Sequence, residues 1–153
     1  MKKIPDNVIN FLQDQGFVIV STIDENGLPH NSCKGLVDID KSGNIYILDV
    51  YKGKTHENLK RNSALSITSV DEHRFVGFSL KGKGRVISRE EVSPQIIKAW
   101  EDKVTSRLTR RLLKNLHEEK GHPKHPEALL PQPEYLITMK TEEIIDLTPQ
   151  HLK

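Results

Sequence analysis

The residues in this chain best suited to holding an anion are Lys54 and Thr55. They open a stretch, residues 54–62, that reads as a short helix between two strand-like runs at 44–49 and 64–68. At the first turn of a helix the backbone N–H groups have no intrahelical partners and the macrodipole is positive. A phosphate bound there gains hydrogen bonds that the helix cannot supply to itself. Lys54 adds a full charge and Thr55 a hydroxyl donor. An ordinary capped surface helix has the same local sequence, so only the surrounding elements separate the two readings.

Other residues able to do chemistry are few. Cys33 is the sole cysteine; a lone cysteine is ordinarily a small hydrophobe, and the sequence singles out no histidine as the base a nucleophile needs. His117, His122 and His125 form the one histidine cluster, with prolines at 123 and 126. Their spacing, without cysteine or a carboxylate pair, matches no defined zinc site, so no metal is expected and a polar loop is the simpler reading. A lid that offers one imidazole as proton donor stays open. Arg107, Arg110, Arg111 and Lys114 make a basic run. Arg107, Arg111 and Lys114 fall opposite a leucine stripe, which favours a solvated face, although the run could also reach over a phosphorylated substrate or the cofactor phosphate of a partner subunit.

The elements that must position these residues follow from periodicity. Residues 6–15 read as a short amphipathic helix with Val8, Ile9, Phe11 and Leu12 on one side, and Gly16 stands where a helix end tolerates positive φ. In 78–86 the even positions are apolar or glycine, and Ser79, Lys81, Lys83 and Arg85 share the other face, as in a half-buried strand that bends at its glycines. Asn26-Gly27 and Ser42-Gly43 mark hairpins. From Ser88 the period changes: Ser88 to Glu91 fits a capping box, Ser93-Pro94 offers a second start, and Ile96, Trp100, Val104, Leu108, Leu112 and Leu116 recur every four residues. Such a stripe predicts a long helix whose apolar face is core or dimer contact. A last strand follows at 134–140.

At 153 residues the chain suits a single domain, and a net charge of +2 from 23 basic and 21 acidic residues gives no broad field for nucleic acid. Any basic site must be local. One cysteine excludes an internal disulfide, no apolar run approaches a membrane span, and no signal-peptide pattern follows Met1, so a cytoplasmic protein is expected.

Residues 17–88 resemble, in the order of their elements, the FMN-binding split barrel of the pyridoxamine 5′-phosphate oxidase-like superfamily. The order is a first strand at 17–23, hairpins at 24–27 and 40–43, a strand ending at Asp49, the Lys54-Thr55-x-x-Asn58-Leu59-x-x-Asn62 helix, and a long central strand at 77–86. The resemblance implies a mainly β (β+α) fold: a six-stranded antiparallel split β-barrel with flanking helices and a long helical insertion, about 89–121, before the last strand.

The resemblance also implies FMN. Its phosphate would sit on Lys54 and Thr55, with Lys52 as a second cation, and its ring would lie along Ser32, Cys33 and Lys34 and along Leu48, Asp49 and Val50. Backbone groups of those strands would bond the pyrimidine edge, Lys34 would stabilise negative charge there, and Cys33 would pack beside the flavin. A homodimer with each flavin in the groove between two barrels is implied, as is two-electron oxidation–reduction of a small-molecule substrate, with reduced pyridine nucleotide as one possible donor. No catalytic residue is singled out. A true pyridoxamine-phosphate oxidase is not expected, because the family's vitamin-processing members carry a basic segment after the last strand. The alternative on the same barrel is a non-catalytic module for flavin, haem or a deazaflavin coenzyme.

Overall fold

Alternation of apolar and polar residues builds the sheet, and the hairpin glycines turn it. The computed structural model describes residues 2–117, 121 and 132–153. Its strands are β1 (Val18–Ile23), β2 (Pro29–Lys34), β3 (Asp38–Ile39), β4 (Asn44–Asp49), β5 (Ala64–Asp71), β6 (Val76–Ser88) and β7 (Tyr135–Asp146). They form one sheet in the order β2-β1-β5-β6-β7-β4-β3, and every pairing is antiparallel. Seven strands replace the expected six; the shortest is β3, which pairs Asp38 with Tyr46 and Ile39 with Ile45. Two residues are too few to show a period of two, which is why β3 leaves no signature in the sequence.

Both hairpins use an aspartate and a glycine. Asp24 accepts from the backbone N–H groups of Asn26 and Leu28 at 2.8 and 2.9 Å, and Asp40 accepts from that of Asn44 at 3.0 Å. Gly27 and Gly43 take φ of 78° and 100°, where a side chain would be strained.

The sheet carries two cores. On one face Ile45, Ile47, Tyr135, Ile137 and Met139 join Val18, Val20, Ile67 and Leu80 around helix α1 (Asp6–Asp14), whose Val8, Ile9, Phe11 and Leu12 are all buried. Phe11 meets Phe78 edge to face at 5.3 Å. On the other face Leu48 and Leu136 join Val37, Trp100 and Val104 under helix α3 (Pro94–Leu116). β7 thus splits its alternate residues between the cores, Leu136 facing one and Tyr135 and Ile137 the other.

Three local expectations are corrected. Helix α1 ends through Gln15 in extended backbone (φ −78°) and Gly16 is not in the left-handed region, because the chain runs directly on into β1. Ser88 makes no capping bond, and Arg89–Glu91 is only a turn of 3-10 helix. The true cap of α3 is Ser93, whose hydroxyl accepts from the Ile96 N–H at 3.4 Å with Pro94 behind it. The third concerns the α3 stripe. Trp100 and Val104 are buried and Ile96 and Leu108 pack against them, whereas Leu112, Leu113 and Leu116 are exposed and Arg107 is buried. The helix outruns the sheet it lies on, so its last turns find no apolar surface among the described residues.

At Lys81/Gly82 the β6–β7 register slips, the bulge that the glycines of this strand anticipate. A Cβ on Gly82 would collide with the Lys140 carbonyl and lie 3.2 Å from Thr141 Cα, both backbone atoms. Gly82→Ala should therefore lower stability by about 1–3 kcal/mol, the usual cost of overpacking. Urea unfolding reads this directly; an unchanged midpoint would show that the bulge relaxes freely.

Candidate functional site

Helix α2 (Lys54–Arg61) is pinned to the first hairpin by its polar side as well as its apolar one. Asn58, fully buried, donates to Thr22 Oγ1 at 3.0 Å and accepts from Arg61 Nη2 at 2.9 Å, and Leu59 enters the main core. The Thr55 hydroxyl, also buried, lies 2.8 Å from that of Ser32 on β2. Lys54 reaches back to the hairpin turn, its Nζ 2.6 Å from a carboxylate oxygen of Glu25, and Arg61 Nη2 stands 3.8 Å from the same oxygen. The bond between them lowers the Glu25 pKa and raises that of Lys54. An oxyanion is thus already held by cations of α2, beside the helix start that the sequence marks for phosphate.

The second cluster lies where β2 and β4 end. Lys34 Nζ is 2.5 Å from Asp49 Oδ2, and only 13% of the lysine side chain and 5% of the aspartate side chain are exposed. The Tyr135 hydroxyl donates to the same oxygen at 2.6 Å, and the Val50 N–H donates to Asp49 Oδ1 at 2.9 Å. Both carboxylate oxygens are therefore used, as a buried charge requires. Lys34 is no solvated strand residue. Burial first, then the bond to Asp49, push the Tyr135 pKa far above its ordinary value. The ring of His56 packs edge-on to Tyr135 at 4.7 Å; burial, with Lys52 and Lys60 nearby, lowers its pKa and keeps it neutral at pH 7.

An open cleft of about 650 Å³ runs past this cluster. Cys33, Lys34, Leu48, Asp49 and Val50 line it, so five of the residues singled out in the sequence share one wall. Ser32, Lys54 and Thr55 gather at the start of α2, and Lys52 is exposed on the connection before it. Cys33 is exposed. The rest of the cleft was not anticipated: Phe17 and Gly35 contribute, and α3 supplies Trp100, Arg107, Arg110, Arg111 and Lys114. The basic run is therefore not simply a solvated face. No pattern within a single sequence links Arg107 to Gly35 or Tyr135 to Asp49, since these pairs meet only through the fold. His117 lies at the end of α3, whereas His122 and His125 fall outside the described residues.

Sequence comparison matches residues 4–130 to the family model described as pyridoxamine 5′-phosphate oxidase. No curated protein matches the chain. Among solved structures, HupZ of Group A Streptococcus superposes with a TM-score of 0.63 at 16% identity, covering 95% of this chain and 94% of that one. A candidate pyridoxamine 5′-phosphate oxidase of Lactobacillus delbrueckii gives 0.61 at 18% identity, with 95% of each chain covered. An F420 reductase gives 0.56 at 12% identity, covering 93% of this chain and 98% of that one. At these identities the likeness is one of fold.

Because its folded pKa is raised, Tyr135 contributes stability that is complete below the unfolded phenol pKa of about 10 and is lost as pH rises above it. Wild-type protein should lose about 1.4 kcal/mol per pH unit there from this one proton. Tyr135→Phe should lack that component, while Tyr46, whose pKa burial also raises, titrates in both proteins. Urea midpoints from about pH 9 to 11 test it. Parallel decline in the two proteins would mean that Tyr135 ionises as easily folded as unfolded.

Proposed function

Because the chain belongs to the pyridoxamine 5′-phosphate oxidase family, a flavin-binding family, we propose that it is an FMN flavoprotein and an oxidoreductase. The observation that carries the reading is the cleft wall: Cys33, Lys34, Leu48, Asp49 and Val50 come together on it from two strands that are not hydrogen-bonded to each other. The donor set fits the cofactor. Hydroxyls of Ser32 and Thr55, the Lys54 ammonium and the first N–H groups of α2 suit a phosphate, and the Glu25 carboxylate is an oxyanion that the same cations already hold. The cleft volume falls within the range of about 300–1,000 Å³ usual for small-molecule sites.

Bound FMN would supply two-electron chemistry between a small-molecule donor and an acceptor. The chain's own residues would orient and bias it. Asp49, fixed by Tyr135 and the Val50 N–H, holds the Lys34 ammonium at the cleft wall, where it would favour negative charge on the nearest ring edge. Leu48, Val50 and Trp100 give the wall its apolar part and exclude water. Thr55 and Ser32 would align the phosphate, with Lys52 and Lys54 supplying charge. The functional unit is a homodimer, supported by the exposed Leu112, Leu113 and Leu116 at the end of α3, a contiguous apolar surface of the kind that a second copy covers.

Purified protein should show two visible flavin bands and release FMN on heating. A Soret band would instead indicate haem, and a released deazaflavin would replace FMN as the cofactor. Lys54→Ala with Thr55→Ala should weaken FMN binding by about 10- to 100-fold, because charge-assisted bonds to phosphate are lost. Its folding should be unaffected; equal affinity for FMN in the double variant would remove α2 from the site. Leu113→Glu with Leu116→Glu should shift the protein to monomer in sedimentation, and an undisturbed dimer would place the contact elsewhere.

A further inference from the structure

The charge on the cleft is far from that of the molecule. Arg107, Arg110, Arg111, Lys114 and Lys34 line it against only Asp14 and Asp49, whereas the whole chain carries a net charge of +2. Asp49 already neutralises Lys34 at 2.5 Å. The remaining excess belongs to α3, on the wall opposite the conserved chemistry of no other element but facing the same open space as Cys33 and Asp49.

One of these cations is built in. Arg107 is only 6% exposed, and its Nη1 donates to the Leu36 carbonyl at 3.2 Å. The guanidinium packs over Gly35, where a Cβ would stand 2.6 Å from Arg107 Nη2. Glycine at that position therefore lets an arginine from a distant helix lie on the backbone just past Lys34. Burying an arginine costs solvation, and here a backbone carbonyl offsets part of that cost. Arg110 and Lys114 are exposed and extend the positive wall outward along the helix.

From this wall we infer an oxyanion seat: α3 recognises a carboxylate or phosphate group of the small molecule that exchanges electrons with the cofactor. The inference rests on the proposed flavin reading for the word substrate, and on the cleft alone for the anion. Arginine presents a planar fork that matches the oxygens of carboxylate and phosphate, and three of the four α3 cations are arginines. The size of the cleft suits a small molecule, and the balanced charge of the rest of the chain offers a polymer no extended track. The excess of cations, and not the freedom of any single one, makes the wall selective for anions.

The test is calorimetric titration of flavin-loaded protein with inorganic phosphate and, separately, with malonate, in wild type and in Arg110→Gln with Lys114→Gln. Both residues are exposed, so the variant should fold normally. Saturable binding of either anion is expected in wild type, with affinity reduced about 10-fold or more in the variant and unchanged in Lys98→Gln, on α3 but away from the cleft. Which anion binds tighter names the group. Absence of saturable binding, or equal affinity in wild type and variant, overturns the seat. So does anion binding to flavin-free protein that disappears on loading with FMN, because the seat would then belong to the cofactor phosphate. If the protein takes up no flavin, the same titration read by the fluorescence of Trp100, the sole tryptophan and part of the cleft wall, decides the seat independently. Binding there would keep the anion site and discard only the flavin.

Discussion

The carboxylate of Asp49 is where three separate strands meet. It closes an ion pair with Lys34 from β2 and accepts a hydrogen bond from Tyr135 on β7, while itself ending β4. β2 and β4 lie far apart in the order of the sheet and share no ladder, so the pair can form only because the sheet curls until those strands face each other. Removing one partner would leave a buried charge uncompensated, which typically costs about 3–5 kcal/mol. The pair is therefore better understood as a constraint on shape than as a source of stability: it sets how far the split between the strands opens, and the cleft lies at that opening.

The two charged clusters of the site differ in physical kind. Lys34 and Asp49 are withdrawn from water and hold one arrangement. Lys54 and Glu25 are solvated, and such pairs contribute little because water competes for both ends. A phosphate arriving at α2 would thus displace a loosely held carboxylate, whereas nothing arriving at the cleft would readily part Lys34 from Asp49. One cluster is suited to exchange ligands and the other to keep its geometry while ligands change.

Much of this was legible in the residues themselves. Val18 and Val20, Ile45 and Ile47, and the even positions of β6 report strands through their alternation, and Asp-x-Asn-Gly and Asp-x-Ser-Gly report turns through the chemistry of aspartate and glycine. The apolar face of α1 is buried as its spacing foretells. What escaped was set by tertiary contact. Nothing local distinguishes Arg107, buried against Leu36, from Arg110, exposed one turn on. Leu112 and Leu116 continue a pattern that the sheet beneath them does not. The capping box at Ser88 had the right letters but lost to Ser93-Pro94, where proline fixes the first helical φ.

The place of β7 in the sheet has a bearing on how the protein is made. This strand, last in sequence, is inserted between β6 and β4 and hydrogen-bonds to both. During synthesis, β1, β2, β5 and β6 can pair as soon as they leave the ribosome, but the long edges of β4 and β6 stay uncovered until residues 135–146 emerge. Uncovered apolar edges of that length invite pairing with other chains, and contacts so distant in sequence form slowly. The nascent chain therefore passes through a period of aggregation risk that ends only with its final strand, and a cell that translates it quickly shortens that period.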